Sequence, residues 1–309
     1  MPAAREGEPR CSSCGERAVF FDRQARRHFC GPHFTGDVEE RVAKTIRDRQ
    51  LIVPGDTVAV GLSGGKDSTA LLLVLTQILP TIADARLVAI TIDEGIRGYR
   101  DDTIRSADQL AGGLGIEHRH VSFAERFGDT LDALLKGREK SSCTICGILR
   151  KKALADAARA AGATKIATGH NLDDEAQSVL MNVLRGDLPR LVRDSSASTS
   201  GQFIPRIKPL MFVAEKEIAA YLMLRGAWTE LPECPYAQYA LRQEARSMLS
   251  TLEYRYPGTM LRLMESKRKV EEACDGRIAA EPLHPCRECG EPCSGDLCQF
   301  CRIRPSLLR

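Results

Sequence analysis

The sequence predicts an α/β fold class: a parallel sheet covered by helices on both faces, flanked at each end by a small cysteine-rich module. Three observations carry this. Short apolar runs alternate with helix-length stretches through the middle of the chain, the pattern of βαβ crossovers. A tight glycine turn, Ser63-Gly-Gly-Lys-Asp-Ser68, joins one of those runs to the helix after it. The twelve cysteines of this 309-residue chain fall into spaced groups, two of them near the ends.

Taken in order, the chain first presents Cys11-x2-Cys14 and then Cys30-x2-His33. Two short knuckles, each offering two soft ligands, fit a closed tetrahedral zinc site. Val38, Val42 and Ile46 then recur at helical spacing, the stripe of an amphipathic helix. Residues 57–62, 86–92, 118–122 and 165–168 read as strands, and 68–79, 101–114 and 145–161 as helices. Ligands in such sheets bind at the carboxyl ends of the strands. Three motifs fall there: the Ser63 turn, Ile92-Asp93-Glu94, and Gly169-His-Asn-Leu-Asp-Asp-Glu175. The polar run 194–201 reads as a loop, and 215–224, 239–252 and 258–274 as helices. Near the carboxyl end, Cys286-x2-Cys289 and Cys298-x2-Cys301 repeat the ligand arrangement, with Gly290 and Gly295 allowing the turns. Cys274 reads as packing, and Cys293 sits too close to Cys289 to pair well with it.

Hydrophobic content of 43% with mixed charge indicates a soluble globular chain. No apolar run approaches the roughly 20 residues of a membrane span. The first residues lack an apolar signal segment, so the expectation is a cytoplasmic protein. In that setting cysteine groups argue for metal rather than disulfides. The net charge of +3 says little, but basic residues cluster at Arg10–Arg27, at Arg150, Lys151 and Lys152, from Arg185 to Lys208, at Lys267, Arg268 and Lys269, and at the carboxyl end. Solvated faces account for many such clusters; several beside metal-binding ends make an RNA partner credible.

The central cysteines differ from the terminal ones. Cys143-x2-Cys146 stands alone, and Cys234 in Glu233-Cys-Pro-Tyr236 is the remaining cysteine in a comparable setting. Three cysteines admit a zinc site short of one ligand, a dithiol with a resolving cysteine, or a [4Fe–4S] cluster with one iron left open. A structural zinc would take four protein ligands, and no thioredoxin-like pattern accompanies the CxxC. Cluster and catalytic dithiol both stay open on the residues alone.

The Ser63 turn is too short for a Walker A loop, which needs four residues between its first glycine and Gly-Lys-Ser/Thr. Between a strand and a helix, its backbone N–H groups can cradle phosphate. Ser-Gly-Gly-Lys-Asp-Ser resembles the signature of the PP-loop ATP pyrophosphatases, which attack the α-phosphate of ATP and adenylate a substrate oxygen. Together with Gly169–Glu175, the Cys143/Cys146/Cys234 set and a zinc module at each end, it makes the chain similar to the tRNA 2-thiolation enzymes from Cys11 to Cys301. Cytidine-thiolating relatives share the core and three cysteines without the paired zinc ends.

That resemblance implies a Rossmann-like PP-loop core and roles at matching positions. Gly61, Leu62, Ser63, Gly64, Gly65, Lys66 and Ser68 would line the nucleotide, and Asp67 would hold magnesium or phosphate. Ile92 would offer its backbone to adenine, and Gly169 and Asp174 would complete the pocket. Arg150 stands where relatives often carry Lys. Cys143, Cys146 and Cys234 would hold a [4Fe–4S] cluster, with Cys143, Cys234, Lys66 and Asp67 the catalytic residues. Asp173, Asp174 and Glu175 either complement the helix dipole or, beside a phosphate loop, suit magnesium. The expected cofactors are ATP, Mg²⁺, the cluster and two structural Zn²⁺. The expected partners are tRNA, a ubiquitin-like thiocarboxylate sulfur carrier and a second copy in a homodimer, with no membrane.

The expected domains are a zinc finger at 1–35, the ATP-binding domain at 36–210, a helical extension carrying Cys234 at 211–280 and a zinc ribbon at 281–309. The expected reaction adenylates O2 of a tRNA uridine, releases pyrophosphate and replaces the oxygen with sulfur. The rivals are a cytidine thiolase, another PP-loop ligase or amidotransferase, and a zinc-dependent RNA-binding protein with a vestigial loop. The last has no reason to keep Lys66, Asp67 and the acidic set together, and the ligase leaves the three cysteines unexplained.

Overall fold

The computed structural model describes residues 8–138, 141–192, 203–236, 242–274 and 283–307. The polar run 194–201 and the expected helix start at 239–241 lie outside them. The chain opens on an antiparallel hairpin, β1 (Phe20–Asp22) and β2 (Arg27–Phe29). It leads into α1 (Gly31–Asp48), whose second residue is Pro32, a proline that fits a first helical turn. Val38, Val42 and Ile46 form the buried stripe that the spacing predicts, and Phe34 extends it by one turn.

The core follows as β3 (Thr57–Gly61), α2 (Lys66–Ile78), β4 (Arg86–Asp93), α3 (Arg100–Gly113) and β5 (His118–Ser122). The short helices α4 (Phe123–Phe127) and α5 (Leu131–Leu134) precede α6 (Ser142–Ala160). Then come β6 (Lys165–Ala167), α7 (Leu172–Leu184), α8 (Leu188–Leu191) and β7 (Arg206–Ile207). Helices α9 (Glu215–Leu224), α10 (Arg242–Arg255) and α11 (Thr259–Ala273) lead to the hairpin β8 (His284–Pro285) and β9 (Pro292–Cys293) and to α12 (Gln299–Leu307).

Five strands form one parallel sheet in the order β5-β4-β3-β6-β7. The chain builds outward from β3 to β5 and then crosses to the far side of β3. The reversal of strand order therefore lies between β3 and β6, and their carboxyl ends open the crevice where such sheets bind ligands. Apolar residues of α1, α2, α3 and α9 bury one face, and those of α4, α5 and α6 the other. A third cluster joins α7 to α10 and α11.

Two details differ from the sequence reading. The fifth strand, β7, is two residues between Pro205 and Pro209, too short and too proline-flanked to show a period. Helix α2 begins at Lys66 rather than Ser68, so Lys66 and Asp67 occupy its first turn.

Candidate active site

The turn after β3 is tied by its own hydroxyls. The Ser63 N–H donates to Ser68 Oγ at 3.1 Å, and Ser68 Oγ donates to the Gly65 carbonyl at 2.9 Å. Gly64 has φ +86°, and a Cβ there would lie 1.9 Å from the Thr103 carbonyl oxygen of α3. A Cβ at Gly169 would lie 2.8 Å from the Asp67 carbonyl carbon, so only glycine lets the end of β6 rest on the start of α2. Two motifs separated by a hundred residues are thus in backbone contact.

Arg100, which the sequence reading missed, locks this arrangement from beneath. It is 3% exposed. Its Nη1 donates to the Ser63 carbonyl at 3.0 Å, its Nη2 to the Ile92 carbonyl at 2.5 Å, and its Nε pairs with Glu94 Oε2 at 2.7 Å. Such a buried charge stays only because it is paired and bonded. Ile92 is the penultimate residue of β4, which runs one residue past the expected end, and its carbonyl accepts from Arg100.

A cavity of about 400 Å³ opens over the crevice. Lys66 and Asp67 line it from α2, Asn171 and Asp174 from the α7 start, and Cys143, Cys146 and Arg150 from α6. Cys234 and Tyr236 enter from the loop after α9. Seven of the expected site residues therefore share one space: Lys66, Asp67, Cys143, Cys146, Arg150, Asp174 and Cys234. Gly61, Leu62, Ser63, Gly64, Gly65 and Ser68 build the turn behind them, and Ile92 and Gly169 its neighbours.

Lys66 Nζ lies 3.0 Å from Asp67 Oδ2 and 2.9 Å from Glu215 Oε1. Burial works against its charge, but both carboxylates outweigh it and raise its pKa. Arg246 of α10 donates to both Glu215 oxygens, at 2.6 and 2.7 Å. Burial would raise Glu215, yet Lys66 and Arg246 hold it below the usual carboxylate range. No local motif announces Glu215 or Arg246. Asp67 Oδ1 accepts from Asn171 Nδ2 at 3.0 Å, which fixes its outward oxygen.

The acidic trio must be corrected. Successive helix residues point about 100° apart, and only Asp174 of the three lines the cavity. It also closes a capping box with Asn171, the helix-start role weighed beside the metal role. Asp173 accepts from the Glu215 N–H at 2.8 Å, and Glu175 is buried in an ion pair with Lys208 at 2.7 Å. Among the described residues these two side chains are engaged away from the cavity lining.

Cys143 Sγ lies 3.5 Å from the Tyr236 carbonyl, which brings the Cys234 loop onto the start of α6. Burial pushes the Cys146 thiol up to about 12, against the pull of Arg150, and burial likewise raises Cys234. Nucleophilic cysteines have lowered values. Among the described residues, the sets whose ligand atoms all lie within 4.8 Å of one another do not include these three thiols.

The terminal sets do meet that spacing. Cys14 and Cys30 sulfurs are 3.7 Å apart, His33 Nδ1 lies 3.1 Å from Cys30 and 3.6 Å from Cys11, and Cys289 lies 3.5 Å from Cys298. Tetrahedral zinc–thiolate geometry requires about 3.8 Å between sulfurs. Although burial opposes it, backbone N–H groups of Cys30, Ser13 and Cys14 draw Cys11 down to about 6, and those of Cys298, Glu288 and Cys289 do the same for Cys286. Cys293 is spent on the Gly295 carbonyl at 2.8 Å. The C-terminal module docks on α6 through Glu291, which pairs with Lys152 and Arg159, and on α4 through Phe300 against Phe127.

The basic clusters separate by their partners. Lys267 and Arg268 pair with Glu271, Glu265 and Glu272 of their own helix, so that cluster is a solvated face. Lys151 is lowered first by burial and then by Arg206, Arg150, Lys208 and Arg190. Two clusters distant in sequence therefore converge around Lys151, although Lys208 pairs with Glu175, Arg190 with Asp187 and Arg150 with Glu94. No helix among the described residues is long and apolar enough to cross a membrane.

Residues 35–248 match the PP-loop domain family. The chain is 37% identical to the tRNA 2-thiolation protein NcsA of Haloferax volcanii, over 96% of this chain and 98% of that protein. It is 39% identical to cytoplasmic tRNA 2-thiolation protein 1 of Mus musculus, over 100% of this chain and 74% of the relative. The solved structure of the U34-tRNA thiolase NcsA from Methanococcus maripaludis with its [4Fe–4S] cluster superposes with a TM-score of 0.83 at 29% identity, covering 96% of both chains. The crevice between β3 and β6, the glycine contacts that shape it and these matches lead to one conclusion: the chain belongs to the PP-loop family and, within it, to the tRNA 2-thiolation proteins.

Proposed function

We propose that this chain is an ATP-dependent tRNA-uridine 2-sulfurtransferase. One observation carries the reading: the PP-loop residues Lys66 and Asp67 share a single cavity with Cys143, Cys146 and Cys234. Activation and sulfur delivery can then act on one base without its release.

In the first step O2 of the uridine attacks the α-phosphate of ATP, and pyrophosphate leaves. The turn at Gly64 and the N-terminus of α2 would take the phosphates, and Lys66 and Arg150 would offset the charge that develops. Asp67 and Asp174, which both line the cavity, would hold Mg²⁺. In the second step sulfide displaces AMP from C2, leaving 2-thiouridine with no net oxidation.

The three thiols, which do not all lie within 4.8 Å of one another and of which Cys146 and Cys234 are raised by burial, fit a [4Fe–4S] cluster. When bound, such a cluster has one iron without a protein ligand, where exogenous sulfide can be held. The N-terminal set of three cysteines with one histidine and the C-terminal set of four cysteines fit two closed structural zinc sites. The Lys151–Arg206 patch suits the tRNA backbone. A ubiquitin-like thiocarboxylate protein or free sulfide would supply the sulfur, and a homodimer is the expected assembly. The four-part division at residues 35, 210 and 280 remains our reading of the domains, although α1 begins at Gly31, inside the first of them.

The test is anaerobic turnover of an unmodified tRNA transcript with ATP and sulfide, followed by nucleoside mass spectrometry. The reading requires AMP, pyrophosphate and 2-thiouridine in equal amounts. Thiolated cytidine would transfer the chain to the cytidine enzymes, and thiolation without ATP would refute it.

A further inference from the structure

His118 and His120 stand two residues apart on β5, the edge strand, and so share one face of the sheet. Asp108 of α3 reaches over them. Its Oδ1 lies 3.2 Å from His118 Nδ1 and 2.9 Å from His120 Nε2, and the two rings are 4.3 Å apart. All three ligand atoms fall within 4.8 Å of one another. The ATP reaction proposed above gives them no task.

The hydrogen bonds beneath them fix which atoms carry protons. Thr91 is fully buried, and its single hydroxyl hydrogen goes to the Leu62 carbonyl at 2.6 Å. Thr91 Oγ1 can then only accept from His118 Nε2, 2.7 Å away. His118 therefore carries a proton on Nε2, and in the neutral ring its Nδ1 presents a lone pair to the Asp108 carboxylate. In that form two lone pairs 3.2 Å apart repel unless a cation lies beside both. Imidazole ligands in proteins are held in this way, one ring nitrogen on the metal and the other donating to a fixed acceptor.

We infer that Asp108, His118 and His120 form a binding site for one divalent transition-metal ion of the zinc class, separate from the catalytic cavity and from every cysteine set. Two imidazole nitrogens and one carboxylate oxygen suit zinc, nickel or cobalt far better than magnesium or calcium. Three protein ligands leave a coordination position for water, and His120 and Asp108 are about half exposed, which gives the ion a path in. The chain from His118 through Thr91 ends on Leu62, the residue before the PP-loop. An ion here stiffens the sheet edge that backs the nucleotide turn.

The experiment adds Zn²⁺ to full-length, histidine-¹⁵N-labelled protein whose cysteine sites are already loaded. The chain has only six histidines, so their ring nitrogens can be assigned individually. One further equivalent should bind, moving His118 Nδ1 and His120 Nε2 while His118 Nε2 keeps its proton. Asp108→Asn and His120→Ala, both at exposed positions, should each weaken this uptake at least tenfold (about 1.4 kcal/mol) without changing the circular dichroism. Failure to bind an extra equivalent would overturn the inference. So would uptake that both variants retain, or a His118 ring doubly protonated at neutral pH and indifferent to zinc, which would make the group a plain ion pair.

Discussion

Each terminal module draws four ligands from one short stretch of chain and brings their atoms within 4.8 Å, whereas the central set draws three thiols from α6 and a distant loop and holds them around a cavity. Backbone N–H groups at the ends draw Cys11 and Cys286 down to about 6. In the cavity, burial raises Cys146 and Cys234 instead. A closed, fully liganded ion folds a module too small to bury a core of its own. An incomplete set beside a nucleotide loop leaves a coordination position for chemistry. Cysteine count alone separates nothing; the distinction lies in ligand number, in spacing and in what else lines the space.

The sharpest way to break this contrast is through the loop. Lys66→Ala or Asp67→Ala should lower pyrophosphate release at least ~100-fold, the scale for losing a group that offsets transition-state charge. Total zinc should stay unchanged, because neither side chain touches a terminal set. Wild-type adenylation of tRNA by either variant would refute the PP-loop assignment. Next in size, Cys14→Ser or Cys289→Ser should each cost one zinc per chain and the protection of the surrounding amides from exchange, while the core still binds ATP. Full zinc retention in both would remove the structural half of the comparison.

A smaller effect concerns Glu215, which lies between Lys66 and Arg246 and with Asp67 anchors Lys66. Glu215→Gln should lower kcat/KM about tenfold (~1.4 kcal/mol), mostly through kcat. Because the folded-state pKa of Glu215 is depressed, the stability it contributes is present above the ordinary value of 4.5 and is lost as pH falls through the folded value. Acid unfolding of the variant should accordingly be shallower over that range. An unchanged acid limb would mean that the contact carries no stability.

These residues also show where sequence reading stops. Cys11, Cys14, Cys30 and His33 were legible because a tetrahedral site built from one segment imposes its spacing on that segment. Strands β3 to β6 were legible because βαβ crossovers alternate apolar runs with helices. Glu215, Arg246 and Arg100 were not, since each acts on a partner that only the fold brings near. The acidic trio misled for a related reason. Asp173, Asp174 and Glu175 are equivalent in a motif, but the turn of α7 sends one to the cavity, one to the α9 backbone and one to Lys208. Strand β7 escaped because two residues between prolines carry no period.

The central claim is that activation and sulfur delivery use separate groups in one cavity, and Cys143→Ser tests it most directly. Wild-type and variant protein would be reconstituted anaerobically, and iron, AMP release and 2-thiouridine measured on the same preparations. The wild type should hold about four irons per chain and make all products. The variant should lose the iron and the thiolated base while still releasing AMP and pyrophosphate in the presence of tRNA. Thiolation by iron-free protein with sulfide as donor would contradict the account, and a persulfide trapped on Cys143 or Cys234 would then identify the dithiol chemistry in its place.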